Sequence, residues 1–117
     1  MAKQHRYEQP IFEYEYELAM KLTSQENAFF QLLSLQANSK TNRVKPDSDE
    51  KKAIMEKLGS TSEDPVRMAN KIINKLIEKD VMKRVERGSF LLNPKFRHKQ
   101  NNTFSYTRFE VEYGQLD

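Results

Sequence analysis

From Phe12 to Leu18 the chain alternates strictly, with Phe12, Tyr14, Tyr16 and Leu18 on one side and Glu13, Glu15 and Glu17 on the other. A period of two predicts a half-buried strand. Thr23 and Glu26 then have the spacing of a capping box, in which each side chain satisfies a backbone donor of the first turn, so a helix is expected to start there. It is expected to run to about Ala37, with Ala28, Phe29, Leu32 and Leu33 recurring at helical spacing and Gln25, Gln31 and Ser34 as polar neighbours. Asn38 to Pro46 is polar and breaks the pattern, which predicts a loop with room for a short strand at Arg43-Val44.

Beyond Pro46, Asp47 or Ser48 can cap a second helix carrying Ala53, Ile54, Met55 and Leu58, and Gly59 stands where a left-handed C-terminal residue is wanted. The segment Ser60-Thr61-Ser62-Glu63-Asp64-Pro65 supplies N-caps, acids and an early proline, all favourable at the start of a third helix. On that helix Val66, Ala69, Ile73, Leu76 and Ile77 fall within about 100° of one another, and Arg67, Lys71, Asn74, Lys75 and Glu78 fall on the far side. Asp80 ends it. Val81 to Val85 and Phe90 to Leu92 are β-prone and separated by Glu86-Arg87-Gly88-Ser89, which predicts a hairpin with its glycine near the tip, and Asn93-Pro94 stops the second strand.

After the basic and polar stretch Lys95 to Asn102, the residues Phe104, Tyr106, Phe109, Val111 and Tyr113 give a second alternating segment with a phase change near Thr107-Arg108, which predicts a closing strand. The expected organisation is a single domain over residues 1–117, of α+β class, with a core at about 21–99 and flanking strands at about 11–18 and 103–113. With 117 residues, 37% of them hydrophobic and 32% charged, one small core and a heavily solvated surface follow. There is no run of about 18 apolar residues to cross a membrane, and MAKQHRYEQP has a basic start without an apolar stretch behind it. The absence of cysteine excludes disulfides and thiolate zinc sites and fits a reducing compartment, so a cytoplasmic location is expected.

The net charge of +3 is modest but unevenly spread: residues 67–99 carry ten Lys or Arg against three Asp or Glu, while residues 1–58 carry nine of each. A block of this kind is either a solvated face or a surface for a polyanion, and the elements beneath it decide between the two.

The order of helix, short helix, glycine-containing turn, longer amphipathic helix and β-hairpin is that of a winged helix-turn-helix, three helices plus a hairpin wing. The segment Leu76 to Arg84, LIEKDVMKR, resembles the end of the recognition helix and the entry to the wing in MarR-like regulators, with Asp80 where glycine is usual. The continuation RVERGSFLLNPKF is similar to the wing of RepL-type replication initiators of Gram-positive plasmids, whose second wing strand commonly ends in Asn-Pro. The alternating segment near the C-terminus also resembles that family, and together these likenesses span about residues 21–113. One departure concerns the distance from Leu58 to Leu76, eighteen residues here and longer than in those families by about one helical turn. The surplus belongs either to a longer turn or to an extra turn at the front of the recognition helix.

A recognition helix reads base edges while basic residues around it neutralise phosphates. Arg67, Asn70, Lys71, Asn74 and Lys75 on the third helix, Lys83, Arg84 and Arg87 on the wing, and Lys95, Arg97 and Lys99 after it are the candidate contacts. Double-stranded DNA is the expected partner, with replication or transfer proteins as further candidates. The aromatic flanking strands, pairing with each other or with a second chain, would supply a homodimer. A winged helix can instead meet an acidic protein.

Catalysis finds little support. His5 and His98 are far apart and sit among basic or polar residues, so no His-x-His metal triad forms. Tyr14 and Tyr16 read as strand core, and Glu13, Glu15 and Glu17 as one solvated strand face. There is no phosphate-binding Gly-x-x-x-x-Gly-Lys-Ser/Thr loop, Lys57 to Thr61 being a helix end. No cofactor is expected, and Asn101-Asn102-Thr103 has the form of a glycosylation acceptor without a leader that would expose it. The expectation is a non-enzymatic, sequence-specific DNA-binding protein of a plasmid or other mobile element. It would act at a replication origin, a transfer origin or an operator.

Overall fold

Thr23 opens the first long helix as its sequence demands. Its hydroxyl accepts from the Glu26 amide at 3.1 Å and the Glu26 carboxylate accepts from the Thr23 amide at 3.0 Å, closing the capping box. This is a computed structural model, and it describes residues 16–97 and 103–116. A short helical segment at residues 16–21 (α1) precedes α2 (Ser24–Ser34), β1 (Arg43–Val44), α3 (Ser48–Lys57), α4 (Pro65–Glu78), β2 (Met82–Glu86), β3 (Ser89–Leu92) and α5 (Thr103–Gln115). The class is α+β, with five helices among the described residues and one three-stranded antiparallel sheet of order β1-β3-β2.

The middle of the chain follows its local signals closely. Asp47 caps α3 with a second capping box completed by Glu50. Asp64 caps α4, its carboxylate accepting from the Arg67 amide, and Pro65 fills the first helical position, where a missing N–H costs nothing. Gly59 and Asp80 both close their helices in the left-handed conformation, φ 76° and 62°, with the Ser60 amide reaching back to Met55 and the Val81 amide to Leu76 in the same pattern. Gly88, at φ 79°, supplies the left-handed residue of the hairpin turn. The helix α2 ends at Ser34, short of Ala37. Gln36 and Ala37 continue as tight turns bonded to Leu33 and Ser34.

The core lies between the three central helices and one face of the sheet. Phe29, Phe30 and Leu33 of α2, Ile54 and Met55 of α3, Ala69, Ile72, Ile73 and Leu76 of α4, and Val44, Met82, Phe90 and Leu92 of the sheet are all buried in one cluster, to which Leu18 of α1 and Leu22 just after it are added. Strand β3 is central and buried at every residue. Phe90 and Leu92 turn to this cluster, so alternation aims Leu91 at the other face. There α5 covers it, with Phe109 and Tyr113 buried.

Both predicted flanking strands are helices where they are described. Over 103–113 the expected strand is α5, and the phase change at Thr107-Arg108 marks the reason. Period two fails there, while Tyr106, Phe109 and Tyr113 keep spacings of three and four, one stripe of a helix. Val111, inward in a strand, is 56% exposed. Of the strand expected over 11–18, residues 16–18 are helical. Tyr16 is 63% exposed while Leu18 and Leu22, four apart, are buried, so the seam follows helical spacing. Phe12, Glu13, Tyr14 and Glu15 lie outside the described residues, as do His5, His98 and Lys99. The three-helix count of the expected winged helix is thus too low for the described chain.

One buried ion pair staples the ends of the core. Lys79, just past α4, bonds Glu26 at the front of α2, and the Glu26 side chain is nearly inaccessible. Burial alone would raise the Glu26 pKa, but the hydrogen bond from Lys79, the Thr23 amide and the Lys79 charge outweigh it and hold the carboxyl below its ordinary value. A depressed folded pKa contributes stability above the unfolded pKa that is lost as pH falls through the folded one. Glu26→Gln is therefore expected to destabilise at neutral pH by about 2 kcal/mol. The gap to the native chain should narrow in urea titrations run at steadily lower pH, and a constant gap would contradict this role.

Candidate nucleic-acid interface

Helix α4 is apolar on one side and chemically free on the other. Ala69, Ile72, Ile73 and Leu76 are buried, whereas Arg67, Asn70, Lys71, Asn74 and Lys75 are exposed. Arg67, Lys71 and Asn74 follow spacings of four and three and form one stripe, with Asn70 beside it. Lys75 is tied to Glu78 at 3.2 Å, an exposed pair of little energetic weight. Arg67 and Lys71 have no ion-pair partner among the described residues. The stripe carries forked donors of the kind that match guanine and adenine edges.

The connection from α3 to α4 spans residues 58–64. Within it the Ser60 hydroxyl accepts from the Ser62 amide and the Ser62 hydroxyl from the Asp64 amide, both at 3.2 Å.

On the hairpin the basic residues divide. Arg87 is exposed at the tip beside Gly88, and Arg84 is exposed with its guanidinium 5.7 Å from the Phe90 ring centre. Neither has an ion-pair partner among the described residues. Lys83 points the other way. Its Nζ donates to the Tyr113 and Leu116 carbonyls at 3.1 and 2.9 Å and lies 4.5 Å from the Tyr113 ring centre, closing the C-terminal end of α5 where the helix dipole favours a cation. Alternation along β2 explains the split, since Lys83 shares the face of Leu91 and Arg84 does not.

The segment after the hairpin is drawn toward the fold. Lys95 pairs with Glu17 at 2.9 Å and sits over Phe96, which Lys21 also approaches. The Arg97 carbonyl accepts from the buried side chain of Asn42, leaving Arg97 half-buried. Of the eleven sequence candidates the structure gathers Arg67, Lys71 and Asn74 on one stripe with Asn70 beside it, keeps Arg84 and Arg87 exposed on the hairpin, engages Lys75, Lys83 and Lys95 in contacts of their own, and half-buries Arg97, while Lys99 lies outside the described residues. The roles of Lys79 and Arg43, the latter paired with Glu112 at 3.2 Å, carried no local signal, because each partner is distant in sequence.

Among the described residues no group of three or more His, Asp or Glu side chains has metal-binding geometry, and no helix is long and apolar enough to cross a membrane. Comparison with protein-family models, curated proteins and solved structures found no match to this chain.

Proposed function

We propose that the chain is a winged helix-turn-helix protein that binds double-stranded DNA at a specific sequence. In this reading α3 and α4 are the helix-turn-helix pair, α4 reads the major groove, and the β2–β3 hairpin is the wing. The topology supports it. The run α2, β1, α3, α4, β2, β3, with β3 between β1 and β2, is compatible with a winged helix. The observation that carries the DNA reading is the exposed, unsequestered stripe of Arg67, Asn70, Lys71 and Asn74 on the second helix of that pair. Arg84 and Arg87 extend the same chemistry along the hairpin.

Action by docking, without a reaction, at a plasmid or mobile-element origin rests on the likeness of Leu76 to Phe96 to MarR-like and RepL-type sequences. The part of that likeness drawn from a C-terminal strand is withdrawn, since the segment is α5. An accessory role at a transfer origin, or repression at an operator, would use the same surface. A homodimer on paired half-sites is supported by the exposed apolar residues Tyr16 and Met20 of α1 and Val111 of α5. In place of strand pairing, these helices would form the contact.

Selection of bound duplexes from random DNA tests the reading. It should yield one enriched site, and a pool without enrichment would contradict sequence-specific recognition. Arg87→Ala should weaken binding to that site by about 1–3 kcal/mol if the side chain enters a minor groove, or by less and almost uniformly across sequences if it meets phosphate. Unchanged affinity for both selected and random DNA would remove the hairpin tip from the interface.

A further inference from the structure

The second face of the sheet carries an arrangement that DNA contact does not require. Arg43, Leu91 and Lys83 stand in one row across β1, β3 and β2, and α5 lies over it. Glu112 of α5 meets Arg43, Phe109 and Tyr113 are buried, and Lys83 closes the helix end. The contacts converge on Tyr113. Its hydroxyl lies 2.8 Å from Asp80 Oδ1 and 3.1 Å from the Asp80 carbonyl, and its single proton serves these two acceptors. Asn93, at the end of β3, donates to that same carbonyl at 2.8 Å, and its amide bonds the Val81 carbonyl.

Asp80 is where α4 turns into the hairpin. At φ 62° it holds the left-handed conformation of a helix end, one that aspartate adopts more readily than most non-glycine residues. The Asp80 carbonyl and Oδ1 are held by Tyr113 of α5 and by Asn93 just after β3. Burial first, and then the Asp80 carboxylate, push the Tyr113 pKa upward, so the hydroxyl stays a donor across the physiological range.

We propose that Tyr113 is a positioning residue: acting through Asp80, it fixes the direction of the β2–β3 hairpin relative to α4 and so lets both reach one duplex together. The functional half of this rests on the DNA-binding reading, while the geometric half does not. A free hairpin would still carry Arg87, but its side chain would arrive at the DNA over a range of angles and contribute less to binding.

Tyr113→Phe removes the hydroxyl and keeps the ring against Lys83. Residual dipolar couplings for amides of α4 and the hairpin decide the geometric half without DNA. In the native chain both elements should fit one alignment, and in Tyr113→Phe the hairpin couplings should shrink or require a second one. Asp80→Gly, which removes the Oδ1 acceptor but keeps the carbonyl and accepts the left-handed φ, should move the hairpin couplings the same way to a smaller extent. Unchanged hairpin couplings in both variants would overturn the proposal. On the selected duplex, Arg87→Ala should weaken binding at least about fivefold in the native background and less than about twofold in Tyr113→Phe. Equal losses in the two backgrounds would also overturn it. A native chain that binds no duplex refutes the DNA reading alone, because the couplings still report on the brace.

Discussion

Ile73→Ala is expected to cost about 2–5 kcal/mol of stability, while Lys71→Ala and Asn74→Ala, two positions before it and one after it on the same helix, leave the melting temperature almost unmoved. Ile73 lies in the core cluster, packed with the aliphatic side chains of α2, α3 and the sheet. Truncation leaves a cavity whose walls are shared by three helices and cannot collapse freely. Lys71 and Asn74 are exposed and bond to nothing that an alanine would orphan. Binding should show the opposite ranking. Each polar substitution is expected to lower the preference for the selected site over random DNA by about 1–3 kcal/mol where its contact is to a base edge, whereas Ile73→Ala, at temperatures where it remains folded, should keep that preference. Melting curves and cognate-to-random affinity ratios for the three variants check this. If Lys71→Ala and Asn74→Ala both bind with native specificity, α4 is not the reader.

Phe109→Ala should have an effect of similar size from the opposite side of the molecule. Phe109 is 1% exposed and belongs to the apolar contact that seats α5 on the sheet, with Tyr113 as its neighbour one turn on. Removing the ring is expected to cost about 3–5 kcal/mol, with a fall in urea midpoint and a loss of helical signal as α5 loosens. The remaining polar attachments, Arg43 to Glu112, Lys83 to the terminal carbonyls, Arg108 to the Lys40 carbonyl and Tyr113 to Asp80, are partly exposed and too weak to hold the helix alone. A loss below about 1 kcal/mol would mean that α5 contributes little to the folded state.

The central elements were legible because their signals are local. Thr23 with Glu26, Asp47 with Glu50, Gly59 at a helix end, Pro65 at a helix start and Gly88 in the hairpin each act within one turn of chain, so the residue type alone dictates the geometry. In the flanking segments alternation misleads because it is short. Over seven residues, apolar positions two apart satisfy a strand, and the same positions taken three and four apart satisfy a helix. At Tyr106, Phe109 and Tyr113 the helix wins, and the stripe they form lies against the face of the sheet that carries Leu91. The candidate site was legible in the same uneven way. The free stripe of α4 follows from helical periodicity alone, whereas the inward turn of Lys83 depends on where α5 docks, a contact made across 30 residues of sequence.

The DNA reading itself is tested most directly by a salt series on the native chain. Its affinity for the selected duplex and for random DNA should be measured by fluorescence anisotropy from low to near-physiological ionic strength. The cations left free on α4 and the hairpin, Arg67, Lys71, Arg84 and Arg87, predict a slope of log affinity against log salt of about −2 to −4. The selected site should stay tighter than random DNA throughout, and the slope should become shallower by about one for each phosphate contact removed. Binding that is flat with salt, or equally strong on every duplex, would contradict the account.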